Sequence, residues 1–158
     1  MTEMLTNLIA AARDKDVMLT TAESCTGGMI AAALTEVPGS SAVFDRGFVT
    51  YSNEAKMEML GVQNATLDRV GAVSEEVALE MAEGALKNAQ AQIAISVTGL
   101  AGPGGSEFKP EGRVCFGLAQ IGEKTVTKTI EYGAIGRQNV RKAAKNEALQ
   151  MVFGALFD

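Results

Sequence analysis

Between Val17 and Glu36 the chain reads VMLTTAESCTGGMIAAALTE: a short apolar run, a polar turn ending in two glycines, then small apolar residues. The first run predicts a short buried strand over 17–22. The last predicts a helix from Thr26 to about Glu36, stopped by the turn residues of VPGSS. A buried strand that feeds straight into a helix calls for a sheet with helices laid against it.

The remaining pattern extends that layout. Met4, Leu5, Leu8, Ile9 and Ala12 form one helical stripe. AVFDRGFVTY reads as a strand, and SNEAKMEML as a short helix opened by cap residues and ended by Gly61. Ser74 caps a helix with Glu75 and Glu76 in its first turn; Val77, Ala78, Met81, Ala82, Ala85 and Leu86 share one face. AQIAISVTG reads as a buried strand, followed by a glycine-rich stretch over 99–112. RVCFGLAQ and KTVTKTIEY, either side of a turn, predict a β-hairpin. A last helix runs from about Arg137 to Phe157, with Val140, Ala144, Ala148, Met151, Val152, Ala155 and Leu156 facing inward. The order α-β-α-β-α-α-β-β-β-α predicts an α/β fold: a mixed sheet covered by helices on both faces. We read residues 1–158 as one domain.

The composition narrows the function. Of 158 residues, 47% are hydrophobic and 21% charged, the balance of a globular protein. The net charge of −5, with no basic run, argues against nucleic acid or an anionic membrane as main partner. Two cysteines, Cys25 and Cys115, are too few and too scattered for a disulfide framework or a paired-cysteine metal site. The N-terminus lacks the basic and apolar regions of a signal peptide, so a cytoplasmic location is expected. The chain contains no histidine, which excludes a Ser-His-Asp triad, a Cys-His pair and any His-ligated metal. A base must come from Lys, Tyr, Asp, Glu or water.

Four segments are expected to meet at strand C-terminal ends and helix N-termini, where ligands of such sheets gather. In ESCTGG, Ser24 and Cys25 sit on a strand-to-helix turn whose open N–H groups could hold an oxyanion. Gly27 and Gly28 cost a helix roughly 1 kcal/mol each relative to alanine, which suggests close approach to the backbone. Alternatively, Ser24 or Thr26 is simply an N-cap and the glycines serve packing. In TYSNEAK, Lys56 falls near a helix N-terminus, where the dipole and any burial lower its pKa toward that of a useful base. A Ser–Lys pair is then the most economical activated nucleophile, with Tyr51 relaying a proton or orienting the lysine. An exposed surface lysine is the plainer alternative. In VTGLAGPGG, Thr98, Gly99, Gly102, Gly104 and Gly105 belong to a loop that is neither a P-loop nor a dinucleotide fingerprint. It shapes a pocket wall or is a surface connection. Arg137 and Arg141, one turn apart, could bind phosphate or form a solvated basic face. Cys25 is a rival nucleophile without its usual partner, and Cys115 reads as a core residue.

Taken in order, TAESCTGG, GFVTYSNEAKMEMLGV, GAVSEEVALEMAEGAL, AISVTGLAGPGG and GRVCFGLA resemble the blocks of the CinA C-terminal domain family over nearly the whole chain. The resemblance implies a three-layer α/β/α sandwich, a homodimer, and hydrolysis of nicotinamide mononucleotide to nicotinate mononucleotide and ammonia. It implies Ser24 as nucleophile, with Lys56 and Tyr51 matching the family's lysine and tyrosine. The chain departs from the family pattern at PEGRV, where Glu111 and Arg113 change the local charge. It departs again before the last helix, where Arg137 is the better match and Arg141 a supporting one.

Two functions follow. In the first, neutral Lys56 takes the proton of Ser24, Ser24 attacks a carboxamide, and backbone N–H groups around Thr26, Gly27 and Gly28 hold the oxyanion. Arg137 and Arg141 hold the phosphate of a small pyridine nucleotide, and no metal or cofactor is called for. In the second, the chain is a nucleotide-binding or regulatory module without catalysis.

Overall fold

The computed structural model describes residues 1–106 and 108–157. Glu107, inside the glycine-rich stretch, and Asp158 lie outside the described residues. The elements are α1 (Thr2–Asp14), β1 (Leu19–Glu23), α2 (Met29–Thr35), a 3₁₀ turn (Ser40–Ala42), β2 (Phe44–Val49), α3 (Asn53–Leu60), α4 (Asn64–Val70), α5 (Glu75–Asn88), β3 (Ile93–Gly99), β4 (Arg113–Gln120), β5 (Val126–Glu131) and α6 (Arg137–Phe157). The five strands lie in the order β2-β1-β3-β4-β5. β1 pairs in parallel with β2 and β3, and β4 and β5 continue the sheet antiparallel. This is the expected mixed sheet.

The two sheet faces differ in side-chain size. Leu19, Ile95, Val97, Val114 and Phe116 face one way and pack with α1, α2 and α6. Ala22, Ala94 and Ala119 face the other and pack with α3, α4 and α5. The small side allows α5 to lie close. Ser96 Oγ donates to Ala78 O at 2.6 Å, and a Cβ at Gly117 would come within 2.5 Å of that carbonyl. The third layer is therefore bought with small residues, and the result is an α/β/α sandwich.

Three details depart from the sequence reading. α2 starts at Met29, not Thr26, because Gly27 and Gly28 take φ of 57° and 108°, outside the right-handed helix. α4 was not anticipated; its seven residues bury only Thr66 and Leu67 and leave no periodic stripe to read. Along α6, Leu149 is buried while Met151 and Ala155 are only partly so.

β1 meets β2 with an irregularity at its start. Leu19 pairs with Phe44 but Thr20 pairs with Arg46, so Asp45 is an extra residue on β2. From there the register runs evenly to Glu23 opposite Val49. Because β1, β2 and β3 are parallel, their C-terminal ends share one edge of the sheet. The connection from β1 leaves toward β2, and that from β3 leaves toward β4. The edge between β1 and β3 is thus the switch point at which a crevice opens. Among the described residues, no helix is long and apolar enough to cross a membrane.

Candidate active site

The four segments do converge at that edge. A cavity of about 380 Å³ is lined by Ser24, Cys25, Tyr51, Asn53, Lys56, the stretch 98–106 and Arg137, among others. Its volume suits a small ligand. Among the described residues no carboxylate lines it, and Lys56 and Arg137 do. In a protein of net charge −5, Arg137 thus brings a positive charge to the rim of the hollow.

Ser24 follows the last residue of β1 and stays tied to the sheet, its N–H donating to Val97 O at 3.0 Å. Lys56 sits in the first turn of α3. That helix is capped by Ser52, whose Oγ accepts the Ala55 N–H. Only 1% of Lys56 is exposed. Its Nζ lies 3.1 Å from Ser24 Oγ, 3.0 Å from Thr50 O and 3.3 Å from Tyr51 O. Burial pushes its pKa below the usual lysine value of 10.5, partly opposed by the nearby Cys25 sulfur. The two carbonyls matter for direction. A neutral amine has two N–H groups. If these point at Thr50 O and Tyr51 O, the lone pair is left for the Ser24 hydroxyl proton.

Cys25 lines the cavity, but burial pushes its thiol up to about 11, well away from a thiolate nucleophile. Cys115 is buried in β4 as expected.

The Tyr51 side chain turns elsewhere. Its hydroxyl accepts from Arg137 Nη2 at 2.9 Å, and its ring is exposed. The residue reaches Lys56 through its main-chain carbonyl. Arg137 also donates from Nη1 to Gly102 O at 2.7 Å, which places it on the rim between loop and tyrosine. Arg141 does not line the cavity. It donates from Nε to Cys25 O at 3.0 Å and from Nη2 to Thr26 O at 3.4 Å, so it grips the turn that carries Ser24.

The expected oxyanion donors are distributed differently from the sequence reading. Gly27 N–H donates to Ser24 O at 3.1 Å and Gly28 N–H to Glu23 Oε1 at 3.2 Å. Both are occupied, and neither glycine lines the cavity. Among the described residues, the N–H groups of Cys25 and Thr26 have no oxygen acceptor, the Cys25 N–H meeting only its own sulfur. Thr98 is fixed by its hydroxyl to Ala72 O at 2.9 Å. Gly99, Gly102, Gly104 and Gly105 all line the cavity wall. Glu111 braces that wall from behind: its Oε1 accepts Gly104 N–H at 2.7 Å. Arg113 pairs with Glu131 on β5 at 2.8 Å and is absent from the lining.

Sequence reasoning missed Asn53 on the cavity wall and Glu23 beneath the turn. Asn53 carried no signal apart from its place beside Ser52. Glu23 carried one: it is an acidic residue ending a strand that is buried throughout.

Comparison with known proteins agrees with this architecture. The family model for the CinA C-terminal domain matches residues 1–156. A protein named nicotinamide-nucleotide amidohydrolase PncC from Escherichia coli K12 is 51% identical over 144 residues, 90% of this chain and 87% of that protein. A CinA-like protein from Chlorobium phaeobacteroides is 52% identical over 144 residues, 89% of this chain but 34% of that protein. The chain thus spans about a third of the length of such longer relatives. The crystal structure of competence/damage inducible protein CihA from Agrobacterium tumefaciens superposes with a TM-score of 0.95 at 48% identity, covering 99% of this chain and 95% of that one. Fold and sequence agree that this chain belongs to the CinA C-terminal domain family.

Proposed function

We propose that this chain is an amidohydrolase that converts nicotinamide mononucleotide and water to nicotinate mononucleotide and ammonia. The observation that carries the chemistry is the buried 3.1 Å contact between Lys56 Nζ and Ser24 Oγ. The substrate comes from relatives of about 50% identity named for that activity.

Neutral Lys56 accepts the Ser24 proton as Oγ bonds to the carboxamide carbon. The carbonyl oxygen gains the negative charge and is met by the N–H of Cys25, which lines the cavity. The C–N bond then breaks, its electron pair leaves with nitrogen, and the Lys56 proton goes with it, so ammonia departs. Water, deprotonated by Lys56, attacks the ester carbonyl. The C–Oγ bond breaks and Ser24 recovers its proton. Arg137 and the loop N–H groups receive the phosphate.

Ammonia release from nicotinamide mononucleotide tests this. Wild type is expected to turn over, and Ser24→Ala and Lys56→Ala to lose at least about a hundredfold in kcat. Near-wild-type turnover by either variant removes the mechanism. Calorimetric binding with no turnover by wild type would instead support a non-catalytic nucleotide module. The family resemblance further supports a cytoplasmic homodimer, which light scattering at twice the chain mass would register.

A further inference from the structure

The turn that carries Ser24 is gripped on its donor side and its acceptor side by two groups outside the catalytic pair. Glu23 is fully buried, and its carboxyl group takes four hydrogen bonds. Oε1 accepts from Thr26 Oγ1 at 2.6 Å, Gly28 N at 3.2 Å and Ile30 N at 3.0 Å; Oε2 accepts from Ala31 N at 3.0 Å. These are the orphan donors of the turn and of the first turn of α2. No side chain supplies the usual cap at Gly28, so Glu23 does the capping from the end of β1. Arg141 reaches in from α6 and takes the carbonyls of Cys25 and Thr26.

We infer that Glu23 and Arg141 form a clamp of positioning residues that sets the reactivity of Ser24. A trans peptide holds its C=O and N–H antiparallel. Fixing Cys25 O toward Arg141 therefore turns the Thr26 N–H away from α6, where among the described residues no acceptor meets it. Gly27 fits the same arrangement: a Cβ there would stand 3.4 Å from Arg141 Nη2, at a φ of 57°. Glu23 fixes the far end of the turn, so Ser24 Oγ is held at Lys56 rather than sweeping the cavity. The clamp assigns Arg141 to the nucleophile's support and leaves phosphate to Arg137. It rests on Ser24 being the nucleophile but not on the substrate's identity.

The test compares wild type with Arg141→Ala, Arg141→Lys and Glu23→Gln, each checked for folding by circular dichroism. The first readout is kcat and KM for ammonia release from nicotinamide mononucleotide and from the riboside, which lacks phosphate. Arg141→Ala is expected to lower kcat at least tenfold with KM within twofold, and by the same factor on both substrates. Arg141→Lys, with one donor group in place of a fork, should recover part of that loss. A loss confined to KM and absent with the riboside would make Arg141 a phosphate ligand and overturn the clamp. The second readout is the rate at which phenylmethanesulfonyl fluoride labels Ser24, followed by mass spectrometry. It works even if neither pyridine compound is a substrate. Labelling should slow about tenfold in Arg141→Ala and Glu23→Gln, and wild-type labelling rates in the folded variants overturn the proposal. If Glu23→Gln fails to fold, the Arg141 pair decides alone.

Discussion

Arg137 Nη2 stands 2.9 Å from Tyr51 Oη, so the two side chains on the cavity rim form one unit. Arg137 is expected to serve substrate binding. Losing a charge-assisted hydrogen bond to phosphate costs about 1.5–3 kcal/mol. Arg137→Ala should thus raise KM roughly ten- to a hundredfold, at about 1.4 kcal/mol per decade, with kcat little changed. The riboside should be a poor substrate for wild type, and the Arg137 effect should vanish with it. Equal hydrolysis of riboside and mononucleotide would remove the phosphate site.

Tyr51→Phe separates the two ways in which this residue touches the site. It frees Arg137 but leaves the carbonyl that accepts from Lys56. Steady-state kinetics should show a rise in KM of a few fold and kcat within about threefold of wild type. A hundredfold fall in kcat would place the phenol in proton transfer.

The Lys56 ammonium is disfavoured by burial, and this sets two pH dependences. Activity should rise with pH as the amine loses its proton, with an apparent pKa below 10.5. Lys56→Arg, which cannot deprotonate, should lose about a hundred- to ten-thousandfold in kcat at every pH. Stability moves with the same sign. Below the folded-state pKa the amine is charged in both states and the burial cost is borne in full. Between that pKa and 10.5 the unfolded chain binds the extra proton, so stability rises with pH. Denaturant midpoints of wild type relative to Lys56→Met should therefore climb across that window. A flat difference would refute the shift.

Glu111 braces the glycine loop, so Glu111→Ala should free Gly104 N–H and loosen the cavity wall. Expected is a KM increase of about two- to tenfold with a small change in kcat. Gly102→Ala should do the same by another route: its φ is 99° and a Cβ would meet Glu111 Oε2 at 2.7 Å. Unchanged KM in both would show that the loop does not contact substrate.

Gly117→Ala tests the close approach of α5. Its Cβ would lie 2.5 Å from Ala78 O and 2.7 Å from Ser96 Oγ. Overpacking of this kind costs about 1–3 kcal/mol. Thermal unfolding should fall by roughly 2–4 °C for each kcal/mol in a chain of this size. An unchanged midpoint would mean the helix can shift outward without cost.

The contact between Ser24 and Lys56 was one of two readings the residues left open; the absence of histidine narrowed the bases, and the family resemblance favoured the pair over an N-cap and a surface lysine. The order of elements along the chain, α4 apart, followed from strands and helices with clear periods, whereas the strand order within the sheet was not read from it. Glu23 escaped notice because hydrophobic pattern marks where a strand is buried, not what a charged residue at its end caps. Arg141 illustrates a different limit. Its spacing from Arg137 puts both on one helix face, but only the neighbouring α2 turn determines that one guanidinium finds main-chain carbonyls while the other reaches the rim. Gly84 left no trace either, though a Cβ there would strike Leu60 O at 1.9 Å, because helix-to-helix proximity is not written in either helix alone.

The pairing of β1 with β2 beyond the irregularity at Asp45 has a bearing on where Ser24 and Lys56 meet. Thr20 and Ser24 are four residues apart, roughly 13 Å of extended chain. Over that length the register runs evenly from Thr20 opposite Arg46 to Glu23 opposite Val49. The carbonyls that receive Lys56 come directly after Val49, and Ser24 directly after Glu23. Ser24 and the carbonyls that hold Lys56 are thus indexed against each other by strand pairing, like teeth on two racks. Deleting Asp45 would only close the irregularity, since Leu19 opposite Phe44 then runs straight on to Thr20 opposite Arg46, whereas losing Gly47 would advance one rack by a single tooth and leave both side chains present but out of step.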